Sequence, residues 1–322
     1  MTCQQPLNIL GYPFLVRSNS TALLALARLS QQRFSQCERL PGKRLATLDL
    51  LLLSEPHEDG LSPLQFENQF KTVASGPRGI IQLGRWGSIF ADWERHSAFG
   101  FISSALLAHP ALASRHALDT FILVSLLRRR LGVLHASALA ASERVILLAG
   151  AHGTGKSTTA LHLLRAGYRL VSDTLVFVRI VDEQIQLLGY GVGELKLTPD
   201  SQSLFPDLPL QTADLSIDGR RKPIFNLREQ MPAYVESAAL MPREIALCLV
   251  RRSADGQTRL QPLDPANALR QMLSSTSYLD EPHVMAQNLA VIDRLIQRAR
   301  IFALELGSEP STIVAALNSL WG

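Results

Sequence analysis

Apolar residues in this chain come in short runs whose period changes along its length. Residues 7–16 (Leu-Asn-Ile-Leu-Gly-Tyr-Pro-Phe-Leu-Val) read as one or two short strands around a turn. Residues 20–32 carry apolar positions at helical spacing. Residues 46–53 are mostly apolar, with Thr47 and Asp49 inside, and predict a buried strand. Residues 55–64 hold Pro, Asp, Gly and Ser and predict a loop. Two short strands follow at 79–83 and 87–90, then helices at 97–107 and 115–131. The second helix is apolar on most faces (Leu118, Phe121, Ile122, Val124, Leu126, Leu127) and should be largely buried.

From Leu131 onward the pattern predicts a strand over 132–141, a polar turn, and a wholly apolar strand over 145–149. A glycine-rich loop comes next, then a helix over 156–166 and a strand over 168–180. Gly167 stands where a left-handed cap ends a helix. His109-Pro110 interrupts the helical pattern, so the boundary is drawn there: an N-terminal α/β domain over 1–110 and a second domain over 111–322.

Composition narrows the classes. The chain has 322 residues, 47% apolar and 19% charged, which suits a folded chain with a sizeable core. A net charge of +4 is small for this length and is not gathered into one run, so nucleic-acid binding is not indicated. The sharpest cluster, Arg128-Arg129-Arg130, ends a predicted helix, where cations suit the dipole. Cys3, Cys37 and Cys248 give neither a disulfide framework nor a metal-ligand spacing. No signal peptide and no membrane span are expected, and a cytoplasmic location fits best.

The chemistry gathers at Gly150-Ala151-His152-Gly153-Thr154-Gly155-Lys156-Ser157, which fits GxxxxGK[ST]. Glycines let successive N–H groups turn inward toward phosphate oxygens. Lys156 would meet the β- and γ-phosphates and Ser157 would offer a hydroxyl to Mg²⁺, with Thr158 beside it. The helix behind the loop points its positive end at the same anion. At ordinary residue usage the pattern arises by chance in roughly one chain in a hundred of this length. The strand before it and the helix after it tighten the reading to nucleoside triphosphate binding.

Asp173 falls soon after Lys156 in an otherwise largely apolar strand, which the short helix would return to pair beside the loop strand. A buried lone carboxylate is costly unless Mg²⁺ or a substrate hydroxyl compensates it; a turn-capping structural Asp is the plainer alternative. His135 lies on the preceding strand, near the loop if the two strands pair antiparallel, and could equally be a core histidine. His152 should point outward from the loop.

The stretch from His135 through Asp173 resembles the catalytic domain of HPr kinase/phosphorylase and its serine-kinase relatives, which share the phosphoenolpyruvate carboxykinase fold. The resemblance rests on His135, the loop 150–157, the helix ending in Gly167, and Arg169-Leu170-Val171-Ser172-Asp173-Thr174. It implies an α/β P-loop kinase domain, a mixed sheet flanked by helices, behind a smaller N-terminal α/β domain. It also implies ATP and Mg²⁺ as cofactors, Asp173 as the base that takes a serine hydroxyl's proton, His135 as its tuner, and Ser157 with Asp173 as the metal pair. The acceptor would be a protein, a peptide or a small molecule carrying a hydroxyl, and a homo-oligomer is compatible with it. Three positions depart from the pattern: Thr174 replaces a second Asp, Thr158 replaces an acidic residue, and Glu194 is the nearest substitute for an acidic metal ligand. These departures point to a diverged relative rather than a true HPr kinase. Lys196, Arg221 and Lys222 are candidate phosphate or substrate contacts, the last two against the plainer reading of a solvated hairpin tip at 218–222. An NTP-hydrolysing or carboxykinase-like enzyme, and a nucleotide-sensing protein that has lost catalysis, stay open as alternatives.

Overall fold

The computed structural model describes residues 2–54, 70–197, 204–205, 213–215, 221–273 and 281–321. The loop expected over 55–64 and the turn at 218–220 fall outside them. The chain divides into two compact units. The first comprises Met1–Arg129, Thr212–Lys222 and Leu279–Val284, and the second the remainder. The helical residues 110–127 thus pack with the first unit, and the division falls after Arg129.

In the first unit seven strands form one sheet: β1 (Cys3–Ile9), β2 (Tyr12–Ser18), β3 (Ala46–Leu53), β4 (Phe70–Ser75), β5 (Arg78–Leu83), β6 (Gly87–Asp92) and β7 (Ser97–Ser103). Their order is β1-β2-β3-β7-β6-β5-β4. The β1–β2 hairpin turns through Leu10 and Gly11, both at positive φ, as a tight two-residue hairpin requires. The Thr21–Gln32 helix supplies the parallel crossover to β3.

The helix expected over 97–107 does not form as such. Residues 97–103 are strand β7, and only Ser104–Leu107 is helical. Nearly every position there is apolar or small, so the run satisfies either period. Pairing with β3 on one side and β6 on the other selects the period of two, with Ala98, Gly100 and Ile102 buried. Gly100 is held by close approach, since a Cβ on it would lie 2.6 Å from the Ser88 carbonyl. The helix expected at 115–131 begins at Pro110 and ends at Leu127, with a π turn over Ser114–Asp119. That turn places Asp119 against Arg33 (3.0 Å) and the Ser30 hydroxyl in the core, where the ion pair is fully hydrogen-bonded.

The second unit holds β8 (Gly132–Leu134), β9 (Ala136–Ala141), β10 (Arg144–Ala149), β11 (Arg169–Ser172), β12 (Leu175–Val181), β13 (Gln184–Tyr190) and β14 (Glu194–Lys196). The chain then gives β15 (Ala213–Leu215), which falls in the first unit, and β16 (Arg221–Asn226), whose residues from Pro223 on belong to the second, as do β17 (Glu244–Arg252), β18 (Arg259–Pro262) and β19 (Arg300–Leu306). Six of them form a mixed sheet in the order β11-β9-β10-β17-β19-β18; β13-β12-β8 make a smaller one. β10 runs parallel to β17 and antiparallel to β9. Strand β10 is apolar at every position from Val145 to Ala149 because both faces of the large sheet are covered. Val145, Leu147 and Ala149 meet Met272, Ile292 and Leu295 on one face. Ile146 and Leu148 meet Leu161, Leu164, Ile313 and Leu317 on the other.

Two expected strands are each broken in two. The run 132–141 divides at His135 into β8 and β9, which belong to different sheets. The run 168–180 divides at Asp173-Thr174 into β11 and β12. The strand that leads to Asp173 also does not pair with the loop strand: β9 lies between β11 and β10. Among the described residues no helix is long and apolar enough to cross a membrane.

Candidate functional site

The site grows from the end of β10. The strand stops at Ala149, the loop runs from Gly150 to Gly155, and the helix Lys156–Arg165 begins at once. Gly155 caps that helix at φ 104°, a conformation other residues rarely adopt. Gly150 has no room for a side chain: a Cβ there would lie 2.6 Å from the Val250 carbonyl of β17. The Lys156 stem is buried, and its ammonium donates to the carbonyls of Gly150 (2.8 Å) and Ala151 (2.9 Å). Ala151, His152 and Gly153 are exposed; Thr154 is half-buried and donates its hydroxyl to the Ala151 carbonyl. The helix ends at Arg165, with Gly167 at φ 93°.

Strand register brings His135 here. Ala136 pairs with Ala149, so the next residue back along β9 stands opposite Gly150. The half-buried His135 ring lies 4.8 Å from that of the exposed His152, tilted by 53°. Both histidines thus flank the start of the loop.

Asp173 stands in the gap between β11 and β12. The Ser172 hydroxyl builds that gap: it is shared between the Leu175 (2.9 Å) and Tyr190 (2.7 Å) carbonyls and accepts the Thr174 N–H (3.3 Å). The Asp173 carboxylate is buried. It accepts hydrogen bonds from the Ser137 hydroxyl, from Ser157 of the loop, and at 3.5 Å from the Lys196 N–H. Burial pushes its pKa above the ordinary carboxylate value. The hydrogen bonds from Ser137, Ser157 and the Lys196 backbone, then the Lys156 charge, oppose that rise.

Glu194 begins β14, and its carboxylate lies near Gly191 and Thr174: a Cβ on Gly191 would be 3.4 Å from Thr174 Oγ1 and 3.8 Å from Glu194 Oε2. Lys196 reaches Asp173 by its backbone N–H, a contact its charge did not foreshadow. Arg221 and Lys222 lie on β16; their side chains are not among those described. The loop, His135, Asp173, Glu194 and Lys196 all belong to the second unit. Two contributors carry no motif in the sequence. Ser137 and Ser172 are buried hydroxyls in apolar strands, and that mismatch is the available signal.

The donor set fits a small hard cation. Ser157 and Asp173, already in hydrogen-bond contact, would be its oxygen ligands. Mg²⁺ takes one or two protein oxygens and fills its remaining positions with water and phosphate.

The fold defines a mixed α/β protein with several sheets flanked by helices. No protein-family model matches the chain, and no curated protein matches it. Among solved structures it is similar to the HPr(Ser) kinase/phosphatase from Coxiella burnetii, at 13% identity and a TM-score of 0.31, over 59% of this chain and 90% of that one.

Proposed function

We propose that the second unit is an ATP- and Mg²⁺-dependent kinase that transfers the γ-phosphoryl group to a hydroxyl. The observation that carries this reading is the buried Asp173 carboxylate, joined to the phosphate loop through Ser157. Lys156 and the backbone N–H groups of the loop hold the phosphates. Asp173 accepts the proton as the acceptor oxygen bonds to the γ-phosphorus and the bond to the β–γ bridging oxygen breaks. Its raised pKa makes it a better proton acceptor than an ordinary carboxylate. Bound Mg²⁺ would neutralise phosphate charge, with Ser157 and Asp173 as its protein oxygens. Phosphoryl transfer asks the protein mainly for positioning and charge, which these residues supply. His135 and His152 flank the start of the loop. The acceptor is a protein, peptide or small molecule carrying a hydroxyl, serine first among them.

A nucleotide-sensing protein without transfer activity is the second reading. Thr174 and Thr158 favour it, since neither supplies a further carboxylate beside Asp173 and Ser157.

Incubation with γ-labelled ATP and cell extract separates the two. Label moving to an acceptor supports the kinase; nucleotide binding with neither transfer nor hydrolysis supports the sensor. S137A provides a finer check. Losing one hydrogen bond to a charged group is expected to slow transfer about tenfold, with triphosphate affinity unchanged and S137T largely restored. An S137A rate equal to wild type would remove Ser137 from the positioning of Asp173.

A further inference from the structure

The turn that follows β13 brings Glu194 within electrostatic reach of Arg228, and the kinase reading uses neither. Strand β14 pairs with β16, with Glu194 opposite Asn226, and the Leu227 N–H donates to the Gly193 carbonyl at 2.8 Å. Asn226 caps the next turn through its side chain, which accepts from the Arg228 N–H at 3.2 Å. These bonds press Arg228 against the Gly191–Glu194 turn. A Cβ on Gly193 would meet Arg228 Cβ at 3.0 Å, and the φ of 76° there also favours glycine. Arg228 is half-buried, and among the described residues its guanidinium makes no hydrogen bond or ion pair. Burial lowers its pKa and the Glu194 charge raises it. A partly desolvated guanidinium with only long-range support invites an oxyanion.

Its place decides which one. Asp173 is bonded to the loop through Ser157 and to β14 through the Lys196 N–H. Thr174, next in sequence, borders Gly191 and Glu194. Arg228 is thus linked to Asp173 through Thr174 and the Gly191–Glu194 turn, on the β14 side of the carboxylate rather than through the loop. We infer that Arg228, with Glu194 as its counter-ion before the acceptor arrives, binds an anionic group on the acceptor, a carboxylate or a phosphate borne near the reacting hydroxyl. The acceptor is then an acidic molecule or an acidic stretch of peptide. This rests on the kinase reading. Glu194 sets the affinity as well as the position, because an arriving anion must share or displace its hold on Arg228.

The test uses the full chain saturated with Mg²⁺ and a non-hydrolysable ATP analogue, titrated calorimetrically with inorganic phosphate as the probe. R228Q should weaken phosphate about tenfold, R228K should lose less because it keeps the charge, and E194Q should tighten it severalfold. Analogue affinity should stay the same in R228Q and R228K. A merely structural Arg228 would not produce the opposite response of E194Q. Equal phosphate affinity in wild type and R228Q, or no phosphate binding to wild type, overturns the inference. Loss of analogue affinity in R228Q also overturns it, since the anion would then belong to the nucleotide. If the analogue fails to bind wild type, the kinase reading is what fails; phosphate titrated into the nucleotide-free chain, with the same variants, still decides Arg228.

Discussion

D173N is expected to cut phosphoryl transfer by about a thousandfold, the scale of a lost general base, with triphosphate still bound. The side chain keeps nearly the shape of Asp173, so Ser137, Ser157 and the Lys196 N–H retain a partner while the proton acceptor is gone. The same variant carries an opposite expectation for stability. The carboxyl has a reference value of 3.8 and is raised by burial in the fold. Folding therefore favours its neutral form. That contribution is complete below the unfolded value and is lost as pH rises through the folded one. At neutral pH, above the unfolded value, the buried carboxyl is a load on the nucleotide-free chain. D173N removes the load, so it should melt above wild type at pH 7, and the two curves should converge as pH falls. Stability given up at a reactive group is a common feature of active sites. Transfer that survives in D173N would remove Asp173 as the base. A lower melting temperature at pH 7 would show that its hydrogen bonds outweigh its burial.

The second large effect is expected at Lys156. Its ammonium now rests on the Gly150 and Ala151 carbonyls, which hold it at the mouth of the loop. A triphosphate offers charged oxygens in place of those carbonyls. Removing such charge-assisted bonds costs about 1.5–3 kcal/mol, or about 10- to 100-fold in affinity. K156M is the suitable variant, because methionine preserves the buried apolar stem. The loss should be steep for ATP and slight for AMP, which lacks the phosphates the ammonium would meet. Titration with a fluorescent nucleotide measures both. ATP affinity unchanged in K156M would mean that the loop does not hold the triphosphate as proposed.

Much of this site is legible in the order of residues. The apolar run 46–53 predicts a buried strand, and β3 has those bounds. The loop and the helix that opens at Lys156 are legible because glycine conformation and helix onset are local properties, decided within a few residues. So is the left-handed Gly167. Those features depend on backbone sterics that any neighbourhood would enforce. The strand over 97–103 is not legible, because a run that is apolar at nearly every position fits two periods equally well.

What the chain alone determined, then, is a glycine-rich loop between a wholly apolar strand and a helix, with an acidic residue and a histidine close by in sequence. The tertiary structure decided how those residues meet. β9 entered between β10 and β11, and so placed the Ser137 hydroxyl, rather than the loop strand, against Asp173. The breaks at His135 and Asp173 came from switching sheets, an event with no local signature. The Lys196 N–H and the Arg228 side chain arrived from far along the chain, through a strand pairing that sequence spacing does not encode. Local sterics act over a few bonds and can be read in order; pairing between distant strands is chosen by the energy of the whole core, and only the folded chain records it.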